Sequence, residues 1–206
     1  MHGMRFITVI DLSKAFHQIV LTHDSIARTA FCTPSGVWGQ LRMPMGITNG
    51  PAVQQMLMNK IFSDMAGFGV EVYIDDILVY TKTSPDGTME ADARMHADKV
   101  IEVVKRLEDA GLTTTGSKCK FGHQEAEFLG FIVTRDGLKP DPAKIEAITK
   151  LEPPKNKTML QAALGMMNFC SRFVPKFAQL VAELTPLLCK KWSSVGPVST
   201  MLPLRK

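Results

Sequence analysis

Two adjacent aspartates, Asp75 and Asp76, interrupt an otherwise apolar and β-branched run from Glu71 to Tyr80. A run of this length and composition favours β-strand, whereas aspartate is poorly suited to a strand interior. The sequence therefore predicts two strands joined by a tight turn, with both carboxylates at its tip. Two ionised carboxylates so close together repel each other, and a hard cation such as Mg²⁺ between them would remove that conflict.

An Asp-Asp turn on its own is more often structural than catalytic, because aspartate is a common turn residue. A second apolar strand, from Phe6 to Ile10, also ends in an acid, Asp11. If the two strands lie side by side, Asp11, Asp75 and Asp76 meet at one point. Two-metal transfer of a phosphoryl or nucleotidyl group needs such an arrangement, so we expect one site built from three carboxylates.

Length and charge favour a globular protein with a polyanionic partner. The 206 residues are 45% apolar and 21% charged, which suits one large or two small domains with a real core. From Lys139 onward there are 11 basic and 4 acidic residues, against 13 basic and 16 acidic residues before it. The basic surplus fits a phosphate backbone, although a solvated lysine-rich surface would have the same composition.

Membrane insertion, secretion and structural zinc are disfavoured by the sequence. No apolar run approaches the roughly 20 residues of a membrane span, and the first residues lack a signal-peptide pattern. We therefore expect an intracellular protein without a membrane partner. The four cysteines, Cys32, Cys119, Cys170 and Cys189, are scattered without a CxxC pair, which argues against a disulfide framework or a zinc ribbon.

Periodicity and turn residues predict mixed strands and helices up to residue 138, followed by helices. The expected elements are a helical turn after Asp11, a hairpin of residues 28–33 and 37–42, helices over about 51–65 and 89–110, a turn at 84–87, an edge strand at 112–115, a hairpin of a strand over 127–133 and a short return after 135–137, helices that start at Asp141 and Thr158, and a helix over about 177–188. The two long helices are expected to bury Val53, Leu57, Ile61 and Met65 in the first and Ala97, Ile101, Val104 and Leu107 in the second.

Taken in order, these blocks resemble the palm and thumb of a reverse transcriptase, and their wording is closest to gypsy-type long-terminal-repeat retrotransposons. The blocks are Val-Ile-Asp-Leu at 9–12, Met-Pro-Met-Gly-Ile-Thr-Asn at 43–49, Tyr-Ile-Asp-Asp-Ile-Leu-Val at 73–79, Ala-Gly-Leu at 110–112, Lys-Cys-Lys-Phe at 118–121, Glu-Phe-Leu-Gly at 127–130 and Arg-Phe-Val-Pro-Lys-Phe at 172–177. Each block alone is a weak signal, but the series is specific and covers about residues 5–190.

The resemblance implies an α+β fold. Its first part would be a reverse-transcriptase-like palm, an antiparallel sheet backed by helices, over residues 1–138 with partial fingers at about 24–43. A small helical thumb over 139–190 and a disordered tail over 191–206 would follow. Relatives begin with a fingers segment that is missing before His2, so we expect the N-terminal fingers to be incomplete and the chain to come from a longer polyprotein.

The resemblance also implies an RNA-directed DNA polymerase core, a nucleotidyltransferase. Asp11, Asp75 and Asp76 would hold two Mg²⁺ ions, which Mn²⁺ could replace. One ion would activate the primer 3′-hydroxyl for attack on the α-phosphate of a dNTP, and the other would neutralise charge on the departing pyrophosphate. Lys118 would protonate that pyrophosphate, whereas the sequence alone favours an ordinary surface lysine.

Four residues match nucleotide-binding positions. The Leu12 carbonyl could add a ligand, and Phe16 would block a ribose 2′-hydroxyl, although periodicity alone favours a core position for Phe16. Met45 and Gly46 would lie under the incoming base and sugar, and relatives usually carry Phe or Gln where this chain has Met45. Met can pack there but can neither stack nor donate a hydrogen bond.

A further match concerns the primer strand. Phe128, Leu129, Gly130 and Phe131 match a hairpin that grips the primer, although they could equally be ordinary hairpin core. The implied partners are an RNA or DNA template with its primer, a dNTP, and the ribonuclease H, protease and integrase segments of the same polyprotein. The implied location is the cytoplasm, including virus-like particles, or the nucleus.

Two other functions remain open at this point. One is a truncated or repurposed fragment that binds nucleic acid through its basic helices without catalysis. The other is an RNA-templated RNA polymerase, which shares the palm, but Phe16 and the gypsy-like wording count against it.

Overall fold

The computed structural model describes residues 3–83, 87–182 and 184–188. Three of the four residues of the turn predicted at 84–87, and the whole tail predicted at 191–206, lie outside the described residues. The elements in order are β1 (Met4–Asp11), α1 (Ala15–Gln18), α2 (His23–Arg28), β2 (Phe31–Thr33), β3 (Gly36–Trp38), α3 (Gly50–Ile61), β4 (Val70–Tyr73), β5 (Asp76–Lys82), α4 (Met89–Asp109), β6 (Lys120–His123), β7 (Ala126–Phe128), β8 (Phe131–Thr134), β9 (Gly137–Pro140), α5 (Pro142–Thr149), α6 (Lys157–Phe169) and α7 (Phe177–Ala182). Short 3₁₀ turns cover Gly116–Lys118, Ser171–Phe173 and Thr185–Leu188.

The chain divides into two compact units between Leu138 and Lys139. The first unit is organised around a four-stranded antiparallel sheet in the order β4-β5-β1-β6. Both β1 and β5 are central strands with nearly continuous apolar sequence, as expected when both faces of a sheet are covered. The predicted α+β class therefore matches the observed mixture of antiparallel sheet and helices.

Alternate residues of β1 and β5 enter two separate cores. Ile10, Ile77 and Val79 join a cluster with Met58 and residues of α4 on one face of the sheet. On the other face, the remaining apolar residues of β1 and β5 pack against the sheet formed by β7, β8 and β9; this second cluster contains Met4, Ile7, Val9, Leu78, Tyr80, Ala126, Phe128 and Val133. The period of two in a strand explains why neighbouring residues serve different cores.

Helix α4 begins with Thr88 as N-cap, whose side chain accepts a hydrogen bond from Ala91 N, and ends before Gly111, which has a positive φ of 69° as a C-terminal glycine requires.

The prediction of the buried face of α4 was wrong in part. The residues buried in α4 are Asp92, His96, Val103 and Leu107, whereas Ile101 is 51% exposed and Val104 is 39% exposed. Because Asp92 and His96 are buried, the buried face of α4 differs from the apolar stripe that the sequence predicted.

Those two polar residues are satisfied by side chains of the sheet. Oδ2 of Asp92 accepts a hydrogen bond from Nη1 of Arg5 at 2.6 Å. The ring nitrogens of His96 lie 2.7 Å from Oγ1 of Thr8 and 3.1 Å from Oγ1 of Thr81. Because buried polar groups need partners, these contacts explain how polar side chains can occupy the inward face of α4.

Helix α3 differs from its prediction in length and in phase. It starts at Gly50 and ends at Ile61, and its buried residues are Gly50, Gln54 and Met58, while Val53 is 40% exposed. Leu57 and Ile61 are partly buried against the first core. Gly50 lies next to the Phe16 ring, since a Cβ built on it would be 3.6 Å from that ring, an ordinary van der Waals contact.

Some short elements also differ from the sequence predictions. Residues 112–115 form only an isolated bridge, between Thr114 and Leu12, and the edge strand beside β1 is β6, which the sequence did not predict. Helix α2 was also missed, so the hairpin of β2 and β3 is shorter than expected. Strand β1 starts at Met4 rather than Phe6.

The second unit is helical. Asp141 caps α5, and its side chain accepts from Ala143 N at 2.9 Å, as predicted. The N-cap of α6 is Asn156 and not Thr158; its Oδ1 accepts from Met159 N at 2.8 Å. The predicted helix from Phe177 to Leu188 is instead α7 followed by a 3₁₀ turn. Among the described residues, no helix is long and apolar enough to cross a membrane.

Candidate functional site

The hairpin of β4 and β5 reverses direction at Ile74 and Asp75. Tyr73 and Asp76 are paired across the two strands, so Asp76 is already the first residue of β5. The prediction that both aspartates form the tip of the turn was therefore wrong by one residue. Ile74 supplies the reversal, because it adopts a left-handed conformation with φ of 56°.

The pairing of β1 with β5 brings Asp11 close to Asp75 and Asp76. Asp11 is the direct partner of Asp76 in the pairing of β1 with β5. Directly opposed residues in an antiparallel pair share one face of the sheet, with Cβ atoms about 4.5–5.5 Å apart. In addition, Leu12 N donates a hydrogen bond to the carbonyl oxygen of Asp75 at 3.2 Å. The structure thus places Asp11, Asp75 and Asp76 at one end of the central strands.

The three acids form an electrostatically unfavourable group. Burial raises the pKa of Asp76 above its ordinary value, and the charges of Asp75 and Asp11 raise it further, while Lys118 lowers it. Oδ1 of Asp11 is buried and has no hydrogen-bond partner among the described residues. A cation beside these carboxylates would relieve both the repulsion and the unsatisfied oxygen.

The pairing of the strands brings the three acids to one end of the sheet, but their side chains do not form a complete set of metal ligands in the described residues. In the described parts of the chain, no three His, Cys, Asp or Glu side chains are gathered closely enough to hold a metal ion. The donor type nevertheless suits a hard divalent cation, which prefers carboxylate oxygens and water. Asp11, Asp75 and Asp76 therefore match magnesium in donor type, whereas their side chains in the described residues are not gathered into a ligand set.

Lys118 lies beside the acids. Its Nζ is 3.6 Å from Oδ1 of Asp11, and its side chain is 67% exposed. The backbone fixes this position, because Thr115 N donates to the Asp11 carbonyl at 2.9 Å and Lys118 N donates to the Thr115 carbonyl at 2.9 Å. The predicted proton donor is thus held at the acid group by a short loop between α4 and β6.

Three of the residues predicted to bind nucleotide line one cavity of about 220 Å³. Phe16 forms one wall, and the loop before α3 supplies the others, including Met45 and Gly46. Met45 is 68% exposed, and Gly46 has a φ of 89°, which favours glycine. Leu12 is different, since its side chain is buried in the first core and only its backbone can serve the site.

Residues 128–131 form the β7–β8 turn, so the single strand predicted over 127–133 was wrong and is divided into two short strands. Phe128 and Phe131 are paired, and Leu129 and Gly130 reverse the chain with φ of 52° and 74°. Phe128 packs in the second core, whereas Leu129 is 37% exposed. The side chain of Phe128 therefore serves the hairpin core, and Leu129 lies at its accessible tip.

Sequence reasoning missed two glutamines that support the site. Gln18 joins α1 to the loop that leads to Lys118, since its Oε1 accepts from Thr113 N at 2.7 Å and its Nε2 donates to Thr113 O at 2.9 Å. Gln55 of α3 bonds to the backbone of the Ile74 turn. A lone glutamine carries no signal in periodicity or turn chemistry, so neither contact was visible in the sequence.

Comparison with known proteins identifies the family to which this chain belongs. The family model described as "Reverse transcriptase (RNA-dependent DNA polymerase)" matches residues 1–133. The Retrovirus-related Pol polyprotein from transposon 297 of Drosophila melanogaster is 37% identical over 91% of this chain, and the Transposon Tf2-3 polyprotein of Schizosaccharomyces pombe is 31% identical over 93%. The chain spans only 17% and 14% of the lengths of these two relatives.

Solved structures agree with the sequence comparison. The foamy viral protease-reverse transcriptase in complex with RNA/DNA hybrid superposes with a TM-score of 0.74 at 28% identity, over 93% of this chain and 24% of that one. The same viral enzyme in its dRH form with double-stranded DNA gives a TM-score of 0.77 at 27% identity, over 96% of this chain and 32% of that one. Because the family model matches more than half of its residues, the chain belongs to the reverse transcriptase (RNA-dependent DNA polymerase) family.

Proposed function

We propose that this chain is the polymerase core of a gypsy-type retrotransposon Pol polyprotein and adds dNTPs to a primer 3′-hydroxyl on an RNA or DNA template. The observation that carries the proposal is the pairing of Asp11 with Asp76, next to Asp75 in the adjoining turn. The gypsy assignment rests on the wording of the motif blocks at 43–49, 73–79 and 127–130. On this proposal residues 1–138 are palm with partial fingers, and residues 139–190 are thumb.

The proposed metal ligands are Asp11, Asp75 and Asp76. Reverse transcriptases generally use divalent metals, and the repulsion at Asp76 together with the unpartnered Oδ1 of Asp11 favours a cation at this point. When bound, Mg²⁺ or Mn²⁺ would supply charge neutralisation at the phosphates and a lowered pKa for the attacking hydroxyl.

The remaining site residues would bind the nucleotide and move a proton. Lys118, beside the acids and the proposed position of the triphosphate, is a suitable donor to the departing pyrophosphate. Phe16 would exclude a ribose 2′-hydroxyl, and Met45 and Gly46 would form the floor beneath the base and sugar; all three line the same cavity. The backbone of Leu12 adjoins Asp75, because Leu12 N donates to the Asp75 carbonyl, and the Leu12 carbonyl oxygen would be a further ligand.

The proposed macromolecular partners follow from charge and from the relatives. The basic surplus from Lys139 onward suits a phosphate backbone, and residues 128–131 would contact the primer strand. The two foamy viral structures contain RNA/DNA hybrid and double-stranded DNA. Since the relatives are polyproteins, ribonuclease H, protease and integrase segments are further proposed partners.

Primer extension tests the activity. The purified chain is incubated with an RNA template, a DNA primer, dNTPs and Mg²⁺, beside an Asp75→Asn variant. We expect extension by the wild-type chain and background extension by the variant. Equal signals from the two proteins would refute the polymerase.

A nucleic-acid-binding fragment without catalysis is the second candidate, favoured by the positive charge of the second unit. In that case the chain retains a primer–template duplex in a filter-binding assay, with an affinity that falls steeply as salt rises, but extends nothing. Replacing dNTPs by NTPs in the same extension assay distinguishes a DNA polymerase from an RNA polymerase.

A further inference from the structure

The turn that carries Asp75 and Asp76 is conformationally unfavourable. Ile74 is β-branched and adopts φ of 56°, a region that non-glycine residues rarely occupy and that suits β-branched residues least. Such a conformation persists only where surrounding contacts hold it. The direction in which Asp75 and Asp76 project therefore depends on whatever fixes Ile74.

Gln55 makes contacts of this kind. Its Oε1 accepts a hydrogen bond from Ile74 N at 2.8 Å, and its Nε2 donates to Val72 O at 3.2 Å. The same Nε2 also donates to Oδ1 of Asn59, one helical turn further along α3, at 2.8 Å. With one acceptor atom facing an N–H group and one donor atom facing two oxygens, the orientation of the amide is fixed by its partners.

These contacts are separate from the packing that docks α3. Met58, two turns along α3 from Gly50, and Phe62 are fully buried in the first core and bind the helix to the sheet through apolar area. The side chain of Gln55 is only part-buried and reaches the hairpin through polar atoms. Removing its amide should therefore leave the helix in place and release the turn.

We propose that Gln55 is a positioning residue that holds Ile74 in its left-handed conformation and so keeps Asp75 and Asp76 opposite Asp11. Its effect on DNA synthesis rests on the proposed function, whereas its effect on the turn does not. Asn59 supports it by accepting the second hydrogen bond of Nε2.

The test uses four variants of the whole chain. Gln55→Leu keeps the size of the side chain and removes every hydrogen bond, and Gln55→Glu keeps an acceptor for Ile74 N–H but loses the donor to Val72 O. Asn59→Ala removes only the orienting acceptor. Gln161→Leu, at an exposed helical glutamine of the second unit, is the matched control.

Single-turnover extension at saturating dNTP provides the first readout. We expect Gln55→Leu to slow extension by roughly 10- to 100-fold, because small displacements of reacting groups have effects of this size. Gln55→Glu should recover part of the rate, and Asn59→Ala should lose less than Gln55→Leu. Primer–template affinity and the thermal midpoint should stay near wild type, as for Gln161→Leu. A wild-type rate in Gln55→Leu would overturn the proposal.

Amide hydrogen exchange of Ile74 provides a readout that does not depend on catalysis. We expect protection in the wild-type chain and in Gln161→Leu, and at least about tenfold faster exchange in Gln55→Leu, since the amide loses its acceptor. If the wild-type chain extends no primer, the proposed function fails while this comparison still decides the role of Gln55. Unchanged exchange at Ile74 in Gln55→Leu would refute it.

Discussion

Nζ of Lys118 lies 3.6 Å from Oδ1 of Asp11, and no hydrogen bond within the described residues satisfies that oxygen. The side chain of Lys118 therefore lies beside Asp11 and is still 67% exposed. We expect Lys118→Leu to lower the single-turnover extension rate by about 100-fold or more, because a positioned general acid contributes roughly 100- to 10,000-fold. Dissociation constants for dNTP and primer–template should change much less.

The matched control is Lys120→Leu, which removes an exposed lysine on the neighbouring strand β6. Both variants lose one positive charge, so a purely electrostatic effect on nucleic-acid binding would appear in both. Equal losses of rate in the two variants would exclude proton transfer by Lys118.

The charge repulsion at Asp76 predicts a conflict between stability and activity. Burial and the charges of Asp75 and Asp11 raise the pKa of Asp76 in the folded chain. A carboxyl with a raised pKa stabilises the fold below its unfolded pKa, and this contribution is lost as pH rises through the folded value. At pH 7 without divalent metal, Asp76→Asn should therefore melt at a higher temperature than the wild type and should extend no primer.

Thermal unfolding in EDTA at pH 7 and at pH 3 checks this expectation. The advantage of Asp76→Asn over the wild type should shrink at the lower pH, where the wild-type carboxyl is protonated. A variant that melts below the wild type at pH 7 would contradict the unfavourable charge at this position.

Phe16 forms a wall of the cavity that includes Met45 and Gly46. If its ring excludes the ribose 2′-hydroxyl, Phe16→Ala should lower the preference for dNTP over NTP by at least about tenfold, chiefly through faster NTP incorporation. The ratio of kcat/KM for the two nucleotides measures this preference. Phe121→Ala, which removes an exposed ring on β6, should leave it unchanged, and the same ratio in Phe16→Ala and wild type would remove the assigned role.

His96 predicts acid sensitivity of the first unit. Burial, with a smaller contribution from the charge of Lys99, lowers the pKa of His96 to about 4. The unfolded chain binds this proton near pH 6.5 while the folded chain does not, so stability falls as pH drops from about 6.5 towards 4. The loss should reach up to about 3 kcal/mol, at about 1.4 kcal/mol for each pKa unit.

Urea unfolding at several pH values measures that loss. His96→Gln is expected to be less stable at pH 7, because its contacts with Thr8 and Thr81 are altered, but its stability should depend less on pH between 6.5 and 4. His123→Gln, at an exposed position of β6, should follow the wild type. Parallel curves for wild type and His96→Gln would contradict the assignment.

The parts of the fold that sequence predicted best are those in which local pattern and tertiary structure agree. The apolar strand ending in Asp11, the hairpin around Asp75 and the Asp141 cap each depend on signals within about ten residues. The convergence of the acids follows because Asp11 ends one apolar strand and Asp76 begins another, and antiparallel pairing brings these two strand ends together.

The errors arose where distant contacts decide the local structure. Asp92 and His96 face inward because Arg5, Thr8 and Thr81 satisfy them from strands that lie 87, 88 and 15 residues away in sequence. The Ile74 turn could not be placed, because no residue scale favours isoleucine at a positive φ. Its support by Gln55 depends on a contact 19 residues away.

Asp76 is paired with Asp11 of β1 on one side and with Tyr73 of β4 on the other, so two registers together set its position. Strand side chains alternate between faces, so a shift of one residue would turn Asp76 towards the opposite side of the sheet. Apolar residues on both sides of β5 would still be buried after such a slip. Insertions and deletions between Tyr73 and Asp76 should therefore yield folded but inactive proteins, so the number of residues in this turn is constrained together with the identity of Asp75.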